Sequence, residues 1–169
     1  MNNPEHPSLR FDKEGRWYHE GVEITHERTC KLFSRSLKKD TRGRYLIAIG
    51  KEWSYVEVED APFLVKSLDY YPSDKAEDAY FTILLNDGST EALDLDTIRV
   101  GKDNVLYCQV KNGDYRGRFC RPSYYELARY IEFDPSSGGY YILLNGKRHY
   151  LEREGSRVQG FKGSREKKC

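Results

Sequence analysis

What the 169-residue chain lacks narrows its class first. No stretch approaches the roughly 20 consecutive apolar residues that a membrane-spanning helix needs, so membrane insertion is not expected. The opening segment Met1 to Arg10 is polar and contains Pro4 and Pro7. It lacks the apolar run of a secretory leader, and the expected location is the cytoplasm. Charge is balanced, with 28 Lys and Arg against 27 Asp and Glu for a formal net charge of +1. No global field therefore draws the chain to nucleic acid, and none is expected as a partner. Cys30, Cys108, Cys120 and Cys169 are scattered without a C-x-x-C pair, which excludes a recognisable zinc site or disulfide framework and leaves reduced thiols as the expectation. His6, His19, His26 and His149 show no H-x-H or H-E-x-x-H spacing. The sequence also has no G-x-S-x-G, Walker loop or G-x-G-x-x-G. No catalytic residue, metal ligand or cofactor follows from any signature.

Aromatic residues are plentiful: 14 Tyr, 7 Phe and 2 Trp favour strands and amphipathic surfaces. Gly15 to Ile24 alternates apolar and polar residues around Glu20-Gly21 and reads as a hairpin. Thr25 is a fitting N-cap for a helix with Glu27 in its first turn and Cys30, Phe33 and Leu37 on one stripe. Tyr45 to Ile49 and Ser54 to Val58 read as strands around Gly50-Lys-Glu-Trp53. Asp60-Ala-Pro-Phe63 then has the cap and first-turn proline of a short helix to about Leu68. Tyr80 to Leu85 and Thr90 to Leu95 flank Asn86-Asp-Gly88 as another hairpin. Val105 to Val110 and Tyr115 to Phe119 flank Asn112-Gly113. Arg121 to Ile131 reads as a helix with Tyr124, Leu127, Ala128 and Ile131 inward. Tyr140 to Leu144 and Arg148 to Leu151 form a last hairpin around Asn145-Gly146.

A shift of 60 residues lays Leu46 on Leu106, Lys51 on Lys111, Tyr55 on Tyr115 and Pro62 on Pro122. With one deletion, Tyr80 and Leu84-Leu-Asn86 fall on Tyr140 and Leu143-Leu-Asn145, which signals an internal repeat. The expected fold is α+β, two related halves of antiparallel hairpins each with a short helix. The boundaries expected are a disordered start (1–9), a first half (10–100), a second half (101–152) and a disordered polar tail (153–169).

Several segments carry a family resemblance. Gly15-Arg-Trp17 with Gly21-Val-Glu-Ile24, Leu32-Phe33-Ser34, Val58-Glu-Asp-Ala-Pro-Phe63 and Arg121-Pro-Ser-Tyr-Tyr-Glu-Leu127 together resemble the bacterial family called domain of unknown function 1285. The resemblance extends over nearly the whole chain. It implies a two-part fold with repeated α/β motifs, part of it similar to pleckstrin-homology barrels, and a part in ligand binding or signal transduction. It brings no catalytic residues, and its functional suggestion is an analogy from fold.

The charged strand ends support two readings. Arg116 and Arg118 lie two residues apart, hence on one strand face, and Arg121 stands at a helix start. Together they suit an anion, with Tyr115, Tyr124 and Tyr125 as aromatic walls and Trp53, Tyr55 and Asp60 lining a pocket between the halves. A phosphorylated metabolite, a nucleotide or an acidic peptide fits such a site. Alternatively, Glu57, Glu59 and Asp60 of the first half pair with Arg116, Arg118 and Arg121 of the second and hold the halves together. Two further functions stay open. One is an enzyme acting on a phosphorylated or carboxylated metabolite, with Asp60 or Glu126 as general base and Arg118 as clamp. The other is an adaptor that recruits a protein partner, or forms a homodimer, through strand edges.

Overall fold

Glu20 and Gly21 both take positive φ, 48° and 80°, as a two-residue hairpin turn requires. They join β2 (Trp17–His19) to β3 (Val22–Ile24). β1 (Leu9–Phe11) lies antiparallel to β2, so strand pairing already begins at residue 9. The computed structural model describes residues 3–75 and 77–155. Helix α1 (Glu27–Arg35) follows, with Glu27 in the first turn and Arg35 in the last, both matched to the helix dipole. Its cap is His26 and not Thr25, because the His26 ring accepts the Thr29 N–H. Leu37 falls beyond the helix, in β4 (Leu37–Lys39). β5 (Tyr45–Ile49) and β6 (Glu52–Val58) form the next hairpin around Gly50-Lys51, with Glu52 and Trp53 in the strand.

The helix expected from Asp60 to Leu68 is absent. Phe63–Tyr71 forms a nine-residue strand, β7, in the middle of the second sheet. Pro62 precedes the strand, so its missing N–H interrupts no ladder. β8 (Tyr80–Leu85), β9 (Thr90–Ala92), a 3-10 turn (Leu95–Thr97), β10 (Arg99–Val100), β11 (Leu106–Val110) and β12 (Tyr115–Phe119) complete that sheet's main strands. Helix α2 (Arg121–Ala128) leads to a small sheet of β13 (Ile131–Asp134), β14 (Gly139–Leu144) and β15 (Lys147–Tyr150). Ile131, expected on the helix, opens β13 instead. Arg153, expected at the start of a polar tail, joins Glu152 in β16 (Glu152–Arg153), parallel to β10. Residues 156–169, which include Cys169, lie outside the described residues.

The described residues thus form an α+β fold, mostly strands with two helices, in two mixed sheets and one small sheet. The first sheet has the order β3-β2-β1-β6-β5-β4, and the second β9-β8-β7-β12-β11-β10 with β16 beyond. Leaving β16 aside, every pairing matches in direction: β6 runs parallel to β1, β12 parallel to β7, and the rest are antiparallel. The 60-residue shift superposes like on like at β5 and β11 and at β6 and β12. It then sets Pro62, which leads into a strand, against Pro122, which lies in α2. The hairpins of Tyr80 and Tyr140 occupy different sheets.

One buried cluster spans both sheets. It includes Phe11, Trp17 and Val56 of the first, Val65, Phe81, Ile83 and Phe119 of the second, and Leu127 and Ile142 beyond. Burying such side chains contributes about 1.5–3 kcal/mol each before entropy is counted. Polar groups at the junction are satisfied in series. Ser34 Oγ accepts from Trp17 Nε1 (3.2 Å) and Asn86 Nδ2 (2.9 Å), and Asn86 Oδ1 accepts the Leu64 N–H (2.9 Å). The turn between β1 and β2 also sits close on β7, since a Cβ at Gly15 (φ 84°) would fall 2.8 Å from Leu64 Cδ2.

Candidate functional site

That close approach leaves a cleft of about 430 Å³ between the β1–β2 turn and the start of α2. β12 alternates Tyr115, Gly117 and Phe119 toward the core with Arg116 and Arg118 outward, as strand geometry dictates. Arg118 reaches into the cleft, Arg121 stands at the first position of α2, and Tyr124 and Tyr125 follow one turn on. Cys120 caps α2 without a side-chain hydrogen bond; its own N–H donates to Val65 O and Pro122 has none, so the first-turn donors left at this wall are the N–H groups of Arg121 and Ser123. Lys13 and Glu14 come from the β1–β2 turn, and Asp103 and Asn104 from the loop before β11. Asp103 and Asn104 take φ 57° and 59° in succession, a left-handed pair that Asp and Asn tolerate better than most residues.

The cleft gathers four of the nine residues singled out from the sequence: Arg118, Arg121, Tyr124 and Tyr125. Asp60 stands behind them. It accepts Arg118 Nη1 at 2.5 Å and the Tyr107 hydroxyl at 2.8 Å. Burial works against the Arg118 charge, yet Asp60 outweighs it and raises the Arg118 pKa. Burial, then the hydrogen bond to Asp60, raises the Tyr107 phenol above its ordinary value and keeps it a donor. This is the one pair among the described residues that joins Glu57, Glu59 or Asp60 to the three arginines. Glu59 instead holds Arg10 (3.1 Å) and the Lys13 N–H.

The remaining candidates lie elsewhere. Arg116 shares the strand face of Arg118 but turns to Glu154 (2.6 Å) and lies over the Tyr107 ring with its Cζ 3.5 Å from the centroid. Its Nε is buried without a partner among the described residues. Tyr115 packs edge-on against Phe63, with Lys39 Nζ over its ring. Trp53, 45% exposed, meets Tyr55 edge-on and lines a separate groove of about 470 Å³ between α1 and the first sheet. The Tyr55 hydroxyl bonds to Asp40 and Arg44. Of the two proposed bases, Glu126 accepts the Leu68 N–H at 2.8 Å, and Asp60 is occupied as described. These contacts engage one oxygen of each carboxylate, Oε2 of Glu126 and Oδ2 of Asp60, and leave the other without a hydrogen bond among the described residues.

Sequence reading missed Lys13, Glu14, Asp103 and Asn104. Lys102-Asp-Asn104 carries a turn signal, but nothing local places that turn opposite the β1–β2 turn. Among the described residues no helix is long and apolar enough to cross a membrane.

Residues 3–61, which contain the whole first sheet, match the family model described as "Domain of unknown function (DUF1285), N-terminal domain". The crystal structure of a DUF1285 family protein from Silicibacter pomeroyi DSS-3 is similar with a TM-score of 0.69 and 20% identity, covering 92% of this chain and 82% of that one. A DUF1285 family protein from Shewanella baltica OS155 is similar with a TM-score of 0.57 and 22% identity, covering 74% of this chain and 93% of that one. At these identities the likeness is one of fold. No curated protein matches the chain.

Proposed function

We propose that the chain, whose residues 3–61 match the DUF1285 N-terminal domain model, is a binding module whose cleft between the β1–β2 turn and α2 takes a small anion. The observation that carries this reading is Arg121, exposed at the head of α2 and without an ion pair among the described residues, beside Arg118, Tyr124 and Tyr125. A guanidinium and a helix start favour a carboxylate or phosphate at the same point. Glu14 and Asp103 on the rim oppose a spread of negative charge, which favours one anionic group over a polyanion. The family resemblance supports a part in cytoplasmic signal transduction, and a pleckstrin-homology-like character for the second sheet with its helix belongs to the same proposal. Exposed edge strand β3, with Val22 71% exposed, supports a second reading, strand addition by a protein partner or a second copy.

The test is a thermal-shift screen of the full chain against nucleotides, cyclic nucleotides, phosphorylated metabolites and acidic peptides, repeated on Arg121→Ala. A ligand at 100 times its Kd stabilises by about 2.7 kcal/mol. A shift lost in Arg121→Ala, with the unliganded Tm unchanged, supports the cleft. A shift that survives the substitution, or none with any compound, overturns it.

A further inference from the structure

The cleft has a neighbour. A second cavity, of about 460 Å³, shares Asn104 and Tyr124 with it and lies on their other side. Its floor is Val100 and Leu106 of the second sheet, and its walls are Ala128 of α2 with Ile131, Phe133 and Tyr140 of the small sheet. Phe133 and Tyr140 are cross-strand partners with ring centroids 5.2 Å apart, yet they stay 54% and 53% exposed. Two large rings left half in water beside Ile131 and Leu106 are apolar surface without a cover. Among the described residues the one charged group lining this cavity is Arg153, and its Nη2 donates to Asn104 Oδ1 at 3.0 Å. Two adjoining compartments therefore differ in character: Lys13, Arg118 and Arg121 line one, and hydrocarbon lines most of the other. Each lies within the roughly 300–1,000 Å³ of small-molecule sites.

We infer that the two compartments form one site for a soluble amphipathic anion. It would set a single carboxylate or phosphate group against Arg121 and lay an alkyl chain past Tyr124 onto Leu106, Ile131 and Phe133. This rests on the reading of the cleft as an anion site. Arg121 and Lys13 complement the head, and Glu14 and Asp103 limit that head to one anionic group. The chain takes up the exposed faces of Phe133 and Tyr140, which nothing else among the described residues covers.

Calorimetric titration of the full chain with octyl phosphate below its micelle concentration, inorganic phosphate and 1-octanol tests the proposal. Octyl phosphate is expected to bind at least tenfold more tightly than inorganic phosphate, with the negative heat-capacity change of apolar burial. Arg121→Ala should abolish both phosphate titrations. Phe133→Ser, at an exposed position the fold tolerates, should bring octyl phosphate down to the inorganic phosphate affinity and leave the latter unchanged. Equal affinity for the two phosphates overturns the amphipathic site while the anion cleft stands. Absence of both overturns the cleft itself. Octyl phosphate binding no tighter than 1-octanol, or indifferent to Phe133→Ser, also overturns the proposal. So does binding to anionic phospholipid vesicles without binding to monomeric octyl phosphate, because the site would then read a membrane surface.

Discussion

The Asp60–Arg118 pair is open to a quantitative test by a double-mutant cycle. Its side chains are 25% and 20% exposed, with a 2.5 Å contact. Two unit charges about 4 Å apart at an effective dielectric of about 20 attract by about 4 kcal/mol. Desolvation and the ordering of a long side chain offset much of that. Exposed pairs retain roughly 0.2–1 kcal/mol, and hydrogen bonds to charged groups roughly 1.5–3. A largely but not fully covered pair falls between, and the expected coupling energy is about 1–2 kcal/mol. Asp60→Ala also strips the acceptor from Tyr107, which adds about 1 kcal/mol and makes it the costlier single change, at about 2–3 kcal/mol. For a chain of this size, roughly 2–4 °C per kcal/mol, its Tm should fall by roughly 4–12 °C. The assay is urea unfolding followed by tryptophan fluorescence for the parent, Asp60→Ala, Arg118→Ala and the double variant. Since distant sites add to within about 0.3–0.5 kcal/mol, a coupling below that bound would refute the structural role and leave Arg118 wholly to a ligand.

Other perturbations probe the fold and its titration. Leu127, fully buried where α2 meets β7, should cost about 2–5 kcal/mol when changed to Ala, read from the urea midpoint. A loss under 1 kcal/mol would mean that α2 does not anchor the core. Asp134 accepts hydroxyls from Ser136 (2.6 Å), Tyr150 (2.7 Å) and Ser137 (2.9 Å), which hold its carboxyl well below the usual range. A folded pKa below the unfolded value of about 3.9 gives stability that is complete above that pH and lost on acidification. Below about pH 4 the parent should therefore lose stability more steeply than Asp134→Asn, and parallel acid limbs would contradict this. Burial pushes the Cys108 thiol up to about 12. Iodoacetamide at pH 8 should then modify Cys108 in urea and spare it in the native protein, as peptide mass spectrometry will resolve.

The hairpins were legible because their turns are chemically marked. Glu20-Gly21 and Asn145-Gly146 take the positive φ that such dipeptides favour. Segment 63–68 misled because Asp60 and Pro62 mimic a helix start, and because a bulge between Val65 and Ser67 shifts the register. Phe63, Val65 and Leu68 are the buried positions, so strict two-residue alternation fails there. The pairing of β6 with β1 and of β12 with β7 is non-local and leaves no local pattern. At the site, the opposite signs of Asp60 and Arg118 did anticipate a contact. The partner of Arg116 is Glu154, from a segment whose polarity suggested a loose tail. Trp53 and Tyr55 share a hairpin equivalent to that of Tyr115 and Arg116, but the equivalence relates positions in two separate sheets and does not bring them together.

The parallel pairing of β6 with β1 and of β12 with β7 bears on how the protein is made. The first sheet is drawn from residues 9–58 without interruption, and β7 to β12 come from 63–119. During synthesis at roughly 5–20 residues per second, β1 keeps an open edge until β6 emerges to cover it. The strands that could compete for that edge, β7 and β12, have not yet been translated. Two sheets of identical strand order in one chain invite exchange of equivalent strands when a full-length polypeptide refolds from denaturant. Vectorial emergence removes that competition, because the nascent first sheet is sealed before its rival strands exist.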